Sequence, residues 1–167
     1  MKPDVVFVSP FARTQETMNI LKDKLGWSDE MVKTDDRLHE LKTGIWNGKK
    51  VEDFVAHFPS DQRFVLHPEG GENYADVKKR MGDFLYDIEK NNEDKIILII
   101  THETPALLLV AVAQGLDRKQ ATALRATKYD IIGNAEVLKL DFAPLPHNAE
   151  YELDLHRPFI DDLELKT

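Results

Sequence analysis

A chain of 167 residues with 30 acidic and 22 basic side chains, a formal charge of -8, holds one domain with a sizeable core. It lacks the clustered cations that direct nucleic-acid or anionic-membrane binding requires. The absence of cysteine excludes a disulfide framework and a thiolate metal site and fits a reducing, cytoplasmic setting, while the longest apolar run, residues 96–100, is strand-sized.

In chain order, Val5, Val6, Phe7 and Val8 have the β-branched and aromatic content of a short buried strand. Thr14, Met18, Leu21 and Leu25 then recur at helical spacing, so Ser9-Pro10-Phe11-Ala12-Arg13 is a strand-to-helix turn. Arg13 falls near the helix start, where unpaired backbone N–H groups and a guanidinium together suit a phosphoryl group. Residues 26–36 are polar and turn-like, and residues 37–48, with Trp46 between Gly44 and Gly48, read as an ordered loop. Val51, Phe54, Val55 and Phe58 suggest a short amphipathic helix ended by Pro59.

After the loop His67-Pro68-Glu69-Gly70-Gly71-Glu72, residues Tyr74, Val77, Met81, Phe84, Leu85 and Ile88 mark one face of a helix reaching about Lys90. Residues 96–100 read as a strand buried on both faces, the pattern of a parallel sheet between helices. His102 stands at its carboxyl end, with Thr104 as the expected N-cap and Pro105 as the first residue of a helix running to about Gly115. A further helix is expected over residues 118–127 and a strand over residues 137–140. Ligands bind beyond the carboxyl ends of parallel strands, which puts Arg13 and His102 on one rim of one sheet. There is no P-loop, dinucleotide fingerprint, nucleophile-elbow serine or zinc-helix spacing.

Taken in order, the segments resemble the histidine phosphatase superfamily, the phosphoglycerate mutase-like fold. Ser9-Pro10-Phe11-Ala12-Arg13 with Thr17 is similar to the family's Ser-Pro-Leu-x-Arg segment, whose arginine binds phosphate. Leu38-x-Glu40 with Gly44-x-Trp46-x-Gly48 resembles its Leu-x-Glu and Gly-x-Trp-x-Gly loop, and Glu40 matches the usual proton donor. Gly70-Gly71-Glu72 is similar to the Gly-Gly-Glu-Ser loop, and Ile99-Ile100-Thr101-His102 to the strand carrying the second catalytic histidine. Asn134-Ala135 also fits. The resemblance implies a three-layer α/β/α fold around a mainly parallel sheet. It implies Glu40 and His102 as catalytic residues and Arg13, Ser9 and Thr101 as substrate-binding residues, with no metal and no cofactor. The implied substrate is a phosphorylated small molecule or a phosphoprotein.

Two departures qualify the resemblance. The family's first strand ends in Arg-His-Gly, whose histidine is the nucleophile, and that tripeptide is nowhere in the chain. The chain thus reads as starting one strand and one helix late, and its sheet is expected to have a gap or an exposed edge. His39, His57 and His67 match no family motif, so an isolated chain without efficient turnover is expected. The second departure is Glu103, where the family usually has glycine. The tail, Glu152-Leu153-Asp154-Leu155-His156-Arg157-Pro158-Phe159-Ile160-Asp161-Asp162, resembles a segment of isoleucyl-tRNA synthetases. The expected division is therefore a histidine-phosphatase-like domain over residues 1–143 and a linker with a synthetase-like tail over residues 144–167. Three functional classes follow: part of a phosphomonoester hydrolase or mutase, an anion-binding module, or an accessory segment of an isoleucyl-tRNA synthetase.

Overall fold

Four consecutive buried residues, Val5–Val8, form β1, the centre of a sheet that has three strands among the described residues. The computed structural model describes residues 2–127, 133–140 and 142–155. In chain order β1 is followed by α1 (Ala12–Leu25), β2 (Val32–Thr34), α2 (Val51–His57), α3 (Tyr74–Lys90), β3 (Ile97–Ile100), α4 (Glu103–Ala113) and α5 (Arg118–Thr127). The sheet order is β2-β1-β3, and both pairings are parallel, with Val8 opposite Thr34 on one side and Ile100 on the other.

Alternation along β1 builds two cores, one on each face of the sheet. Val6 and Val8 pack with Met18 of α1 and with Trp27, joined by Leu98 and Ile100 of β3. Val5 and Phe7 face the opposite way, into the larger core of α3 and α4, with Phe7 edge-on to Phe84 at 5.5 Å between ring centres. Helix, sheet and helix form the three expected layers. Every residue expected on the buried face of α3 is buried there, and Asn73 caps the helix in a capping box with Asp76.

Four sequence expectations need correction. The stretch 26–36 contains β2, a strand that three residues with only Val32 and Thr34 β-branched do not announce. The expected strand over residues 137–140 does not form. Val137 is 79% exposed, and alternation without a ladder partner does not make a strand. Helix α4 starts earlier than expected, with His102 as N-cap and Pro105 in the first turn, where an absent N–H still costs no helical bond. β3 is only half-buried, since its side away from β1 has no strand partner among the described residues.

The segment after residue 142 lies against the helical layer. Leu145 exchanges two hydrogen bonds with the Tyr86 hydroxyl, at 2.9 and 3.0 Å. His147 and Leu153 form an antiparallel bridge, and Leu153 N–H donates to the Gly115 carbonyl at 2.9 Å. Tyr151 lies on Gly82, where a Cβ would run into its ring. The synthetase-like motif continues through residues 156–162, which lie outside the described residues.

Candidate active site

The parallel register of β1 and β3 brings their carboxyl ends level, and Ser9 N–H donates to the Ile100 carbonyl at 2.9 Å. The next residues on each chain, Ser9 to Arg13 and Thr101 to His102, therefore meet above the same end of the sheet. The Ser9 carbonyl is gripped by the side chains of Thr14, at 3.0 Å, and Gln15, at 2.7 Å, which holds the turn into α1. That turn sets Arg13 in the first turn of the helix with its side chain over Phe11, 5.2 Å from the ring centre.

His102 is the hub. The Arg13 guanidinium donates to Nδ1 from Nε at 3.1 Å and from Nη2 at 2.7 Å. A guanidinium has only donors, so Nδ1 carries a lone pair and the imidazole is neutral, with its proton on Nε2. Nε2–H then donates to the fully buried Ser9 hydroxyl oxygen at 2.8 Å. Burial pushes the His102 pKa down to about 4, with the charges of Arg13, His39 and Arg80 acting in the same direction. The Phe11 ring, 5.1 Å away, covers one side of the imidazole.

The loop bearing Glu40 is tied to this hub through the backbone. The Thr101 hydroxyl donates to the Leu38 carbonyl at 2.8 Å, Arg80 donates to the Arg37 carbonyl, and Glu72 accepts from Lys42 N–H at 3.1 Å. Glu72 also holds Arg80 through Nε at 3.0 Å and Nη2 at 3.2 Å. Gly44 and Gly71 make the two loops touch backbone to backbone, since a Cβ on either would overlap the other loop. The Glu40 carboxylate itself accepts from Leu41 N–H at 2.8 Å and forms no hydrogen bond with Arg13, Ser9 or His102.

Of the five residues expected to act together, Ser9, Arg13 and His102 form one hydrogen-bonded chain. Thr101 binds a carbonyl of the neighbouring loop, and Glu40 stands half-buried on that loop. His39, which matches no family motif, is 9% exposed and close enough to His102 to affect its protonation. Its position between Leu38 and Glu40 was the available signal. A cavity of about 410 Å³ lies elsewhere, lined by Gln114, Asp117, Glu152 and Asp154 among others, and among the described residues no basic side chain lines it. No helix of the described residues is long and apolar enough to cross a membrane.

A strand-end turn with Ser-Pro-x-x-Arg, a histidine capping the helix after a parallel strand, and an acid loop tied to both are the arrangement on which the family comparison bears. The model of the histidine phosphatase superfamily (branch 1) matches residues 1–144, and the chain belongs to that family. It is 28% identical over 167 residues to phosphoserine phosphatase 1 of Hydrogenobacter thermophilus, an alignment covering 92% of this chain and 76% of that protein. Identity to a 2,3-bisphosphoglycerate-dependent phosphoglycerate mutase of Rhizobium johnstonii is 26% over 132 residues, covering 74% of this chain and 63% of the mutase. A mycobacterial glucosyl-3-phosphoglycerate phosphatase shares the fold with a TM-score of 0.64 at 22% identity, over 74% of this chain and 63% of that one. The chain thus spans less than two thirds of the length of the mutase and of this phosphatase.

Proposed function

We propose that the chain supplies the phosphate-holding part of a phosphomonoester hydrolase or mutase, with Arg13, Ser9 and His102 forming the anion site and Glu40 donating a proton to the leaving oxygen. The Arg13–His102–Ser9 chain at the carboxyl ends of β1 and β3 is the observation that carries this reading. An incoming phosphoryl oxygen replaces His102 Nδ1 as the acceptor of the Arg13 N–H groups, a charge-assisted exchange that gives a bidentate contact. Freed of Arg13, the His102 ring switches tautomer, Nε2 accepting from the Ser9 hydroxyl and Nδ1–H donating to a phosphoryl oxygen from the side, and Thr101 keeps the histidine strand and the Glu40 loop in register. Phosphoryl transfer gains most from such positioning and charge stabilisation.

The nucleophile is a separate matter. Both nitrogens of His102 are occupied, Nδ1 by two donors and Nε2 by its own proton, so neither offers a lone pair for in-line attack. None of the six histidines lies in an Arg-His-Gly sequence. The 167 residues by themselves accordingly bind phosphate and hydrolyse phosphomonoesters only near background. The names of the relatives, phosphoserine phosphatase and phosphoglycerate mutase, support a small phosphorylated metabolite over a phosphoprotein. The lack of cysteine supports a cytoplasmic setting.

A thermal-shift titration with inorganic phosphate tests the reading. Stabilisation of the chain that vanishes on Arg13→Ala is the expected result, and equal stabilisation of both proteins contradicts it. A second reading, association with an isoleucyl-tRNA synthetase, is supported by the sequence of residues 152–162 alone. Immunoblotting of the endogenous polypeptide separates the two, since only fusion to a synthetase gives a band of synthetase size.

A further inference from the structure

His39 is buried, and its place in the fold is set by a hydrogen bond on which it borders. Thr101 Oγ1 donates to the Leu38 carbonyl at 2.8 Å, so His39 and His102 each follow directly after one partner of that contact. The two ring nitrogens of His39 are in different surroundings. Nδ1 lies 2.6 Å from the Glu40 carbonyl oxygen, an acceptor, and therefore carries a proton. The Glu72 carboxylate is 3.7 Å from the same nitrogen. Nε2 leaves the ring on the far side from these groups and makes no hydrogen bond among the described residues.

We propose that His39 is a further ligand of the phosphoanion site, donating a hydrogen bond from Nε2 to an oxygen of a phosphoryl group bound beside Arg13 and His102. The inference rests on the phosphate-site reading above. Donation from Nε2 while Nδ1–H stays on the Glu40 carbonyl requires the imidazolium, so the bound state takes up one proton, from solvent or from a monoanionic phosphate. The Glu72 carboxylate, on the loop before α3, lies 3.7 Å from Nδ1, and the phosphoryl group would lie at the Nε2 end of the same ring. A carboxylate behind a histidine that faces an anion orients the ring and supplies its counter-charge.

Two substitutions separate a ligand from a merely structural side chain. The amide nitrogen of Asn stands where Nδ1 stands, so His39→Asn keeps the bond to the Glu40 carbonyl and loses the distal donor; His39→Gln keeps a donor where Nε2 stands. Calorimetric titration with inorganic phosphate is expected to show affinity about tenfold weaker in His39→Asn and within about threefold of the unaltered protein in His39→Gln. Nitrogen NMR of the unaltered chain supplies a check that does not depend on how variants fold, because saturating phosphate should convert the His39 Nε2 signal from lone-pair to protonated character. Undiminished affinity in His39→Asn, or an unmoved Nε2 signal while Arg13 signals shift, overturns the inference and leaves the Arg13 site standing. Failure of the unaltered chain to bind phosphate removes the site and this ligand together.

Discussion

Arg13 and His102, 89 residues apart in sequence, are joined by two hydrogen bonds from one guanidinium to one imidazole nitrogen. The contact fixes a proton's position, because an obligate donor on Nδ1 leaves Nε2 as the protonated nitrogen, and the buried Ser9 hydroxyl oxygen receives it. Three residue types on two strand ends thereby define one tautomer of one histidine.

This tautomer has a signature in stability against pH. His102 titrates near 4 in the folded chain and near 6.5 when unfolded, so between those values the unfolded chain binds a proton that the native one does not. Stability from this group is complete above about pH 6.5 and is lost as pH falls toward 4, with a total of about 2–4 kcal/mol. Urea unfolding at pH 7.5 and pH 4.5 should show a smaller loss for His102→Asn than for the unaltered protein; equal losses would show that the histidine is not held neutral. In Arg13→Ala the His102 pKa should rise while staying below 6.5, since burial is the larger cause.

Ser9→Ala tests the other end of the chain. It strands the Nε2 proton in a buried site, at a cost of about 1–3 kcal/mol. Chemical denaturation measures it, and a neutral result would mean that water or another group takes over as acceptor.

The contact of Gly44 with Gly71 makes a sharper prediction. Gly44 has φ +57, and a Cβ there would overlap Glu69 and Gly71 backbone, so Gly44→Ala should cost about 3 kcal/mol or more. Gly26 has φ +67 with open space around it, and Gly26→Ala should cost only about 1 kcal/mol. Similar midpoints for the two variants in urea would deny that the loops are braced against each other.

Docking of the segment after residue 142 depends on Tyr151, whose ring fills the space over Gly82 and whose hydroxyl donates to Asp83 at 2.6 Å. Burial and the Asp83 carboxylate hold its phenol pKa well above the usual tyrosine range. Tyr151→Ala should make residues 143–155 more readily cut by protease than in the unaltered chain, with α3 unaffected. Identical digestion patterns would show that the segment is held by its other contacts alone.

Much of this fold was legible in the sequence because its strongest signals are local. The apolar run of β1, the periodic face of α3 and the Ser9 to Arg13 turn each announce themselves within about a dozen residues. β2 was hidden because its place depends on β1 rather than on its own three residues. The expected strand at residues 137–140 failed for the converse reason, as it has the alternation without a neighbour to pair with. In the site, Arg13 and His102 were legible through motif order, whereas the bond between them was not, and His39 acquires its meaning only from the contact between Leu38 and Thr101.

A crystal structure of the chain grown with inorganic phosphate tests the central claim most directly. The expected result is a tetrahedral anion within hydrogen-bond distance of the Arg13 guanidinium and His102, with the two Arg13 bonds to Nδ1 exchanged for bonds to phosphate oxygens. An intact Arg13–His102 contact with the anion absent, or the anion bound elsewhere, would contradict it.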